Sequence, residues 1–342
     1  MVVHLKNNGR VMQLILRKPS PIELIVPRIG VGTNLLEDEI VIDILGENAD
    51  CEFGITLGEG MSGLYHTRRT QVRKSWAYQQ GATLGMNPRV EERISKLTLN
   101  VNGRSNADLE RLENILWKVL SLEWHCYLRL YSELSEWREI RVTLLEAPDD
   151  AWKNDPGADG NYTLTWEPQL LAVDPFWYSE QIEFQLDYAD MTPNGDGTRT
   201  GYIPAINPAD QDCYLMWSGN EIEVTETWTL PDANELFTAK TAPTPAKIGQ
   251  HVTHTLPPLG PGKEFVVDTY PDMPTLLVRD GSLEWANMRA ESFEYVLAKG
   301  TVTPVMLPVT LAGGNASSSI KLYLRQRWDR FMGGEVTDAV NV

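Results

Sequence analysis

The chain has 342 residues, a formal net charge of −17, an apolar fraction of 42% and 9% aromatics. That length allows two domains of ordinary size, and that composition excludes a disordered chain. The acidic balance excludes a general nucleic-acid binder, which must attract phosphates and release their counterions, and points instead to protein partners.

The opening MVVHLKNNGR lacks the charged start, apolar run and small-residue cleavage site of a signal peptide, so folding in a cytoplasm is expected. No apolar run approaches the roughly 20 residues that span a bilayer, so no membrane insertion is expected. Ile40, Ile42 and Ile44 alternate with polar or smaller neighbours and predict a strand. Leu97, Leu99 and Val101 repeat the pattern with Thr98, Asn100 and Asn102 between them. One helix follows. Ser105 caps it, Asp108 and Glu110 fall in the favourable first turn, and Leu109, Leu112, Leu116, Val119 and Leu120 form its apolar stripe. Trp124–Tyr131 and Trp137–Glu146 are predicted strands joined by the polar turn Ser132–Glu136.

Ala147–Gly160 is rich in Pro, Gly and Asp and reads as a loop or linker. Asn161–Leu171 reads as the last strand of a first domain, and Asp174-Pro175 as the start of a second. Gln181–Tyr188 alternates strictly, as a sheet with one wet face does. Met191–Gly201 and Thr238–Gly249 read as loops, and Ile320, Leu322 and Leu324 mark a closing strand. The tail Phe331–Val342 carries little pattern and is expected to be mobile. The domains expected are 1–172, 173–330 and the tail 331–342. A single helix among many strands argues for mainly antiparallel β structure and against a βαβ nucleotide-binding fold.

Three cysteines, Cys51, Cys126 and Cys213, are odd in number and form no CxxC pair. Buried thiols are expected, not a disulfide framework or a zinc knuckle. There is no GxSxG, P-loop, HExxH or GxGxxG signature. His251 and His254 make an HxxH pair without a third ligand nearby, and Asn194-Gly195-Asp196-Gly197 lacks the spaced acids of a calcium loop and reads as a turn. Glu221 and Glu223 share a face of a predicted strand, as a glycosidase pair would, but Ile222, Val224 and Trp228 opposite them make a solvent face the simpler reading. Glu226 breaks that parity. Trp217 and Trp228 are candidates for stacking on sugars, with core packing between two sheets as the competing use. No cofactor, metal or catalytic residue is expected.

The charge pattern is more distinctive. Residues 35–59 contain eight acids, among them Glu37, Asp38 and Glu39, and no Lys or Arg. Residues 60–104 contain eight bases, among them Arg68, Arg69, Arg73 and Lys74, and two acids. Two readings stand: neighbouring strands pair these charges within one chain, or the acidic face of one subunit meets the basic face of the next. The second would be a heterologous contact, which closes into a ring when the rotation divides the circle.

The runs GMSGLYHTRR, ERISKLTLNVNGRSNADLERLENILWKVL and WREIRVTLLEAPDD, followed by DPFWYSE, NPADQDCYLMW, EFVVDTYPDMPTLLV and IKLYLRQRW, together resemble the distal tail proteins of siphophages, especially minor tail proteins of phages of actinobacteria. Their order and spacing carry the resemblance, which covers most of the chain. It implies a mainly β protein: a belt-like β-barrel or sandwich domain with one α-helix, then a jelly-roll, galectin-like β-sandwich. It implies a structural virion protein assembled in the host cytoplasm. Six copies would form a ring at the tail tip, with the tail tube protein, the tip hub and the tape measure protein as partners. The alternatives are a carbohydrate-binding adhesin of the tail tip and a glycoside hydrolase acting on cell wall.

Overall fold

The structure, a computed structural model, describes residues 11–16, 40–45, 52–85, 88–150, 160–233, 237–239, 252–271, 275–288 and 293–334. They fall into two compact units. The first comprises the described residues up to Ser179 together with Trp328–Gly334, and the second comprises those of Glu180–Arg327.

In the first unit the main sheet runs Ile40–Leu45, Val11–Leu16, Cys126–Ser132, Glu136–Leu144, Gln169–Ala172, Arg93–Lys96, all antiparallel. Cys126, Leu128 and Leu130 are buried at every second position, and Ile140, Val142 and Leu144 do the same on the adjoining strand. That period of two is why one face of the sheet is dry. A smaller sheet, Thr163–Trp166, Leu99–Asn102 and Gly54–Leu57, lies beside it.

The helix Asn106–Val119 starts where Ser105 accepts the Asp108 amide, and it buries Leu109, Leu116 and Val119. It packs on Leu99–Asn102, Gly54–Leu57 and Val11–Leu16. Trp117 meets Trp166 edge to face at 4.8 Å, and Trp166 Nε1 donates to Glu113 Oε1 at 3.0 Å.

The expected single strand over 161–171 is two strands, Thr163–Trp166 and Gln169–Ala172, which join different sheets. Pro168 sits in the break. It has no amide to donate to a ladder, but its carbonyl accepts from Leu97.

The second unit is a β-sandwich. One sheet runs Ile182–Asp187, Ser319–Leu324, Leu215–Gly219, Phe265–Asp268, Leu276–Val278. The other runs Thr192–Pro193, Thr198–Asn207, Thr301–Gly313, Glu226–Ala233, Val252–Thr255. Leu215, Trp217, Phe265 and Leu322 of one sheet and Ile203, Trp228, Leu307 and Val309 of the other share a single buried cluster. The strand Thr198–Asn207 begins inside the span expected to be a loop, Met191–Gly201. The turn at 194–197 ahead of it is held by Asn194 on Thr198 and Thr200 and by Asp196 on the Thr198 amide.

The protein is thus mainly β and sandwich-rich. No sheet among the described residues closes into a barrel. No helix among them is long and apolar enough to cross a membrane.

Two expectations about the chain's course need correction. Phe176 and Trp177, beyond the expected start of the second domain, are buried in the first unit. The segment Phe331–Gly334, expected to be mobile, is packed there too. Phe331 is buried, and Gly333 donates its amide to Ser135 and accepts from Arg138. Residues 335–342 lie outside the described residues.

Candidate assembly surface

The described residues of 68–85 and 88–90 form a thin hairpin arm. Arg69–Thr70 pairs with Arg89–Val90, and Arg73–Lys74 with Thr83–Leu84. Gln79 shapes the tip: its amide donates to the Trp76 carbonyl, its side-chain oxygen accepts from the Trp76 amide at 3.2 Å, and its Nε2 donates to Thr83 Oγ1. Tyr78 has φ 72° and Gly81 φ 88°, which turn the chain back.

Among the described residues, neither face of the arm packs on a core. Val72, Tyr78 and Leu84 are exposed, and Trp76 is 69% exposed. An isolated two-stranded ribbon is marginal in water, and exposed aromatics are costly unless a partner covers them. Among the arm's residues there are five bases, Arg68, Arg69, Arg73, Lys74 and Arg89, and no acid.

The four predicted bases separate here. Arg68 pairs with Glu91 at 3.0 Å, and Arg69 reaches Asp329 at 3.5 Å. Arg73 and Lys74 stand exposed on the arm and pair with no described carboxylate. Arg68 and Arg69 thus find acids at the arm's root. Glu37, Asp38 and Glu39 lie outside the described residues. Arg93, one of the eight bases of the basic run, is no surface charge at all. It is 2% exposed and donates to the carbonyls of Gly63, Leu64, Pro175 and Asp329. Burial pushes its guanidinium down to about 10, with Asp329 opposing the shift.

The root is built around Asp329. Its carboxylate accepts from the Thr67 amide at 3.1 Å and from Thr67 Oγ1, and lies 3.5 Å from His66 Nδ1. Burial raises the Asp329 carboxyl, but the Thr67 hydrogen bonds with Arg69 and His66 outweigh it and leave the group below its ordinary value. Just ahead of the root, Gly63 has φ +78°, and a Cβ there would stand 2.2 Å from the Ile94 carbonyl oxygen. No side chain fits that turn.

The sugar-stacking candidates are corrected. Trp217 and Trp228 are both 0% exposed in the sandwich core and offer no face to a ligand. Trp228 Nε1 donates to Glu226 Oε2 at 2.8 Å, and Ser318 Oγ also donates to Glu226. That pairing accounts for the acid that broke the strand pattern.

Glu221 and Glu223 are exposed but precede the strand, which begins at Glu226, and Val224 is exposed beside them. Asn315 donates to Glu223. His254 pairs with the buried Asp232 at 3.1 Å, and His251 lies outside the described residues. Among the described residues no group of three or more His, Cys, Asp or Glu is placed to hold a metal ion.

Sequence reading missed Trp76, Tyr78 and Asp329. The first two left a signal, aromatics flanked by bases ahead of Gly81. Asp329 left none, because Thr67, which it holds, lies 262 residues away.

No family profile and no curated relative matches the chain. Solved structures do. A chain of the phage P2 baseplate in its activated conformation with Ca is 9% identical, with a TM-score of 0.52 over 94% of this chain and 99% of that one. The same baseplate with Sr gives 10% identity and the same TM-score and coverage. The Dit protein of phage SPP1 is 11% identical, with a TM-score of 0.48 over 80% of this chain and 93% of that one. At these identities the likeness is one of fold, and the chain has the fold of that phage P2 baseplate chain.

Proposed function

We propose that the chain is a non-enzymatic structural subunit of a phage tail tip. The observation that carries this reading is the fold shared with a phage P2 baseplate chain over 94% of the length. In this reading the first unit is the ring-forming domain, and six copies close around the tail axis. The exposed basic arm of one copy lies on an acidic surface of the next. The tail tube protein sits on one side of the ring and the tip hub on the other, and the sandwich is a docking surface. The arm supports the assembly role, because it exposes Trp76 and Tyr78 beside Arg73 and Lys74, which pair with no described carboxylate. The acidic run 35–59, with eight acids and no base, supplies the complementary acid. Such complementarity steers encounter and fixes register more than it adds affinity.

The test is charge reversal. Arg73 and Lys74 changed together to Glu should abolish self-association and leave a folded monomer, read by native mass and circular dichroism. An unaltered assembly state would end this reading of the arm.

A further inference from the structure

We infer that Asp329 is the positioning residue of the arm, so that the arm takes its pose only after the chain has run through the second unit and returned. The inference rests on the arm being the assembly surface.

The carboxylate is 15% exposed and engages three residues of the root at once. It accepts from the Thr67 amide and hydroxyl and lies 3.5 Å from the His66 ring nitrogen Nδ1 and 3.5 Å from the Arg69 guanidinium. Thr67 is itself buried, and its hydroxyl accepts from Arg69 Nε at 3.2 Å. The backbone of Asp329 acts on the same segment. Its carbonyl accepts from Arg93 Nη2 at 2.7 Å, and the other arm of that guanidinium holds the Gly63 and Leu64 carbonyls. One residue therefore grips 63–69 through both its side chain and its main chain.

The returning segment is itself bolted down. Arg138 lies 3.7 Å over the Trp328 ring and donates to the Arg330 and Gly333 carbonyls, each at 2.8 Å. Phe331 packs edge to face on Tyr65 and Trp177. The arm's own ladders, two residue pairs each, are too short to set its direction. Chain order then gives the consequence. His66, Thr67 and Arg69 are made early, and the carboxylate that fixes them arrives 262 residues after Thr67. An incomplete chain, or one whose second unit has not folded and brought Trp328 back, lacks the group that sets the arm. Premature assembly of such chains is thereby disfavoured.

The experiment uses the full chain, dilute and unassembled, under limited trypsin, with cleavage after Arg68 and Arg69 read by mass spectrometry. Asp329→Ala should raise that cleavage rate about tenfold or more while near-UV circular dichroism stays native. Asp329→Asn, which keeps an acceptor for the Thr67 amide and loses the charge, should fall between the two. Equal rates in wild type and a natively folded Asp329→Ala would overturn the inference. If Asp329→Ala fails to fold, hydrogen exchange on the wild type decides. A Thr67 amide slowed about tenfold or more relative to a free peptide supports the latch, and one exchanging at the free-peptide rate overturns it. Both readouts are taken without assembly, so a protein that forms no ring leaves them intact. A freed arm in a protein that still forms rings counts against the assembly reading instead.

Discussion

Thr67 donates its backbone amide to Asp329 Oδ1 at 3.1 Å across 262 residues of sequence. The contact depends on the charge of a carboxyl held below its ordinary value by Thr67, Arg69 and His66 against the opposing effect of burial. For a depressed folded value, the stabilisation is complete above the unfolded value of about 3.9 and is lost as pH falls through the folded one. Protection of the Thr67 amide should therefore be flat near neutral pH and fall in acid below about pH 4. Hydrogen exchange across that window checks it, and protection that already fades near neutrality would contradict it.

Trp217 and Trp228 should differ when changed to Phe. Trp217 Nε1 meets no acceptor among the described residues, so Trp217→Phe removes a buried donor that was never paired. Trp228→Phe takes a donor from Glu226, which is 2% exposed, and should cost about 1–3 kcal/mol more. Glu226→Ala strands the Trp228 Nε1 and Ser318 donors instead, with a loss of similar size. Urea unfolding of the three variants measures the differences. The same burial means that loss of any sugar binding in Trp217→Ala would report unfolding, since truncating a buried Trp costs about 3–5 kcal/mol.

Cys126 and Cys213 are buried, and burial pushes each thiol up to about 12. Both are therefore neutral under mildly alkaline conditions and poor nucleophiles. Iodoacetamide should leave both unmodified in the native protein and label both after denaturation, read by peptide mass spectrometry.

Arg93 donates to four carbonyls from a 2% exposed position. Arg93→Met removes this donor from all four carbonyls, of which Leu64 keeps Trp177 Nε1, and should destabilise the first unit by on the order of 3 kcal/mol. Arg93→Lys should recover only part of this, because an ammonium lacks the fork that reaches all four. Chemical denaturation followed by Trp fluorescence tests both.

What local pattern dictates was legible in the sequence. Ser105 with the stripe Leu109, Leu116 and Val119 marks the helix, and alternation marks the strands at Ile40–Leu45, Cys126–Ser132 and Ser319–Leu324. Pro168 splits a run whose apolar pattern reads straight through it. What distant partners dictate was not legible. Arg93 looks like any other base of its run until four carbonyls surround it. Trp217 and Trp228 look alike whether they face a ligand or a second sheet, and only the sandwich decides. The packing of Phe331–Gly334 leaves no periodic trace, since the contacts come from Ser135, Arg138 and Trp177.

A reconstruction of the assembled tail tip tests the central claim most directly. It should place six copies of the first unit around the tail axis, with residues 68–90 of each copy seated on its neighbour. Copies lying away from that axis, or arms at 68–90 that touch no neighbouring copy, would contradict it.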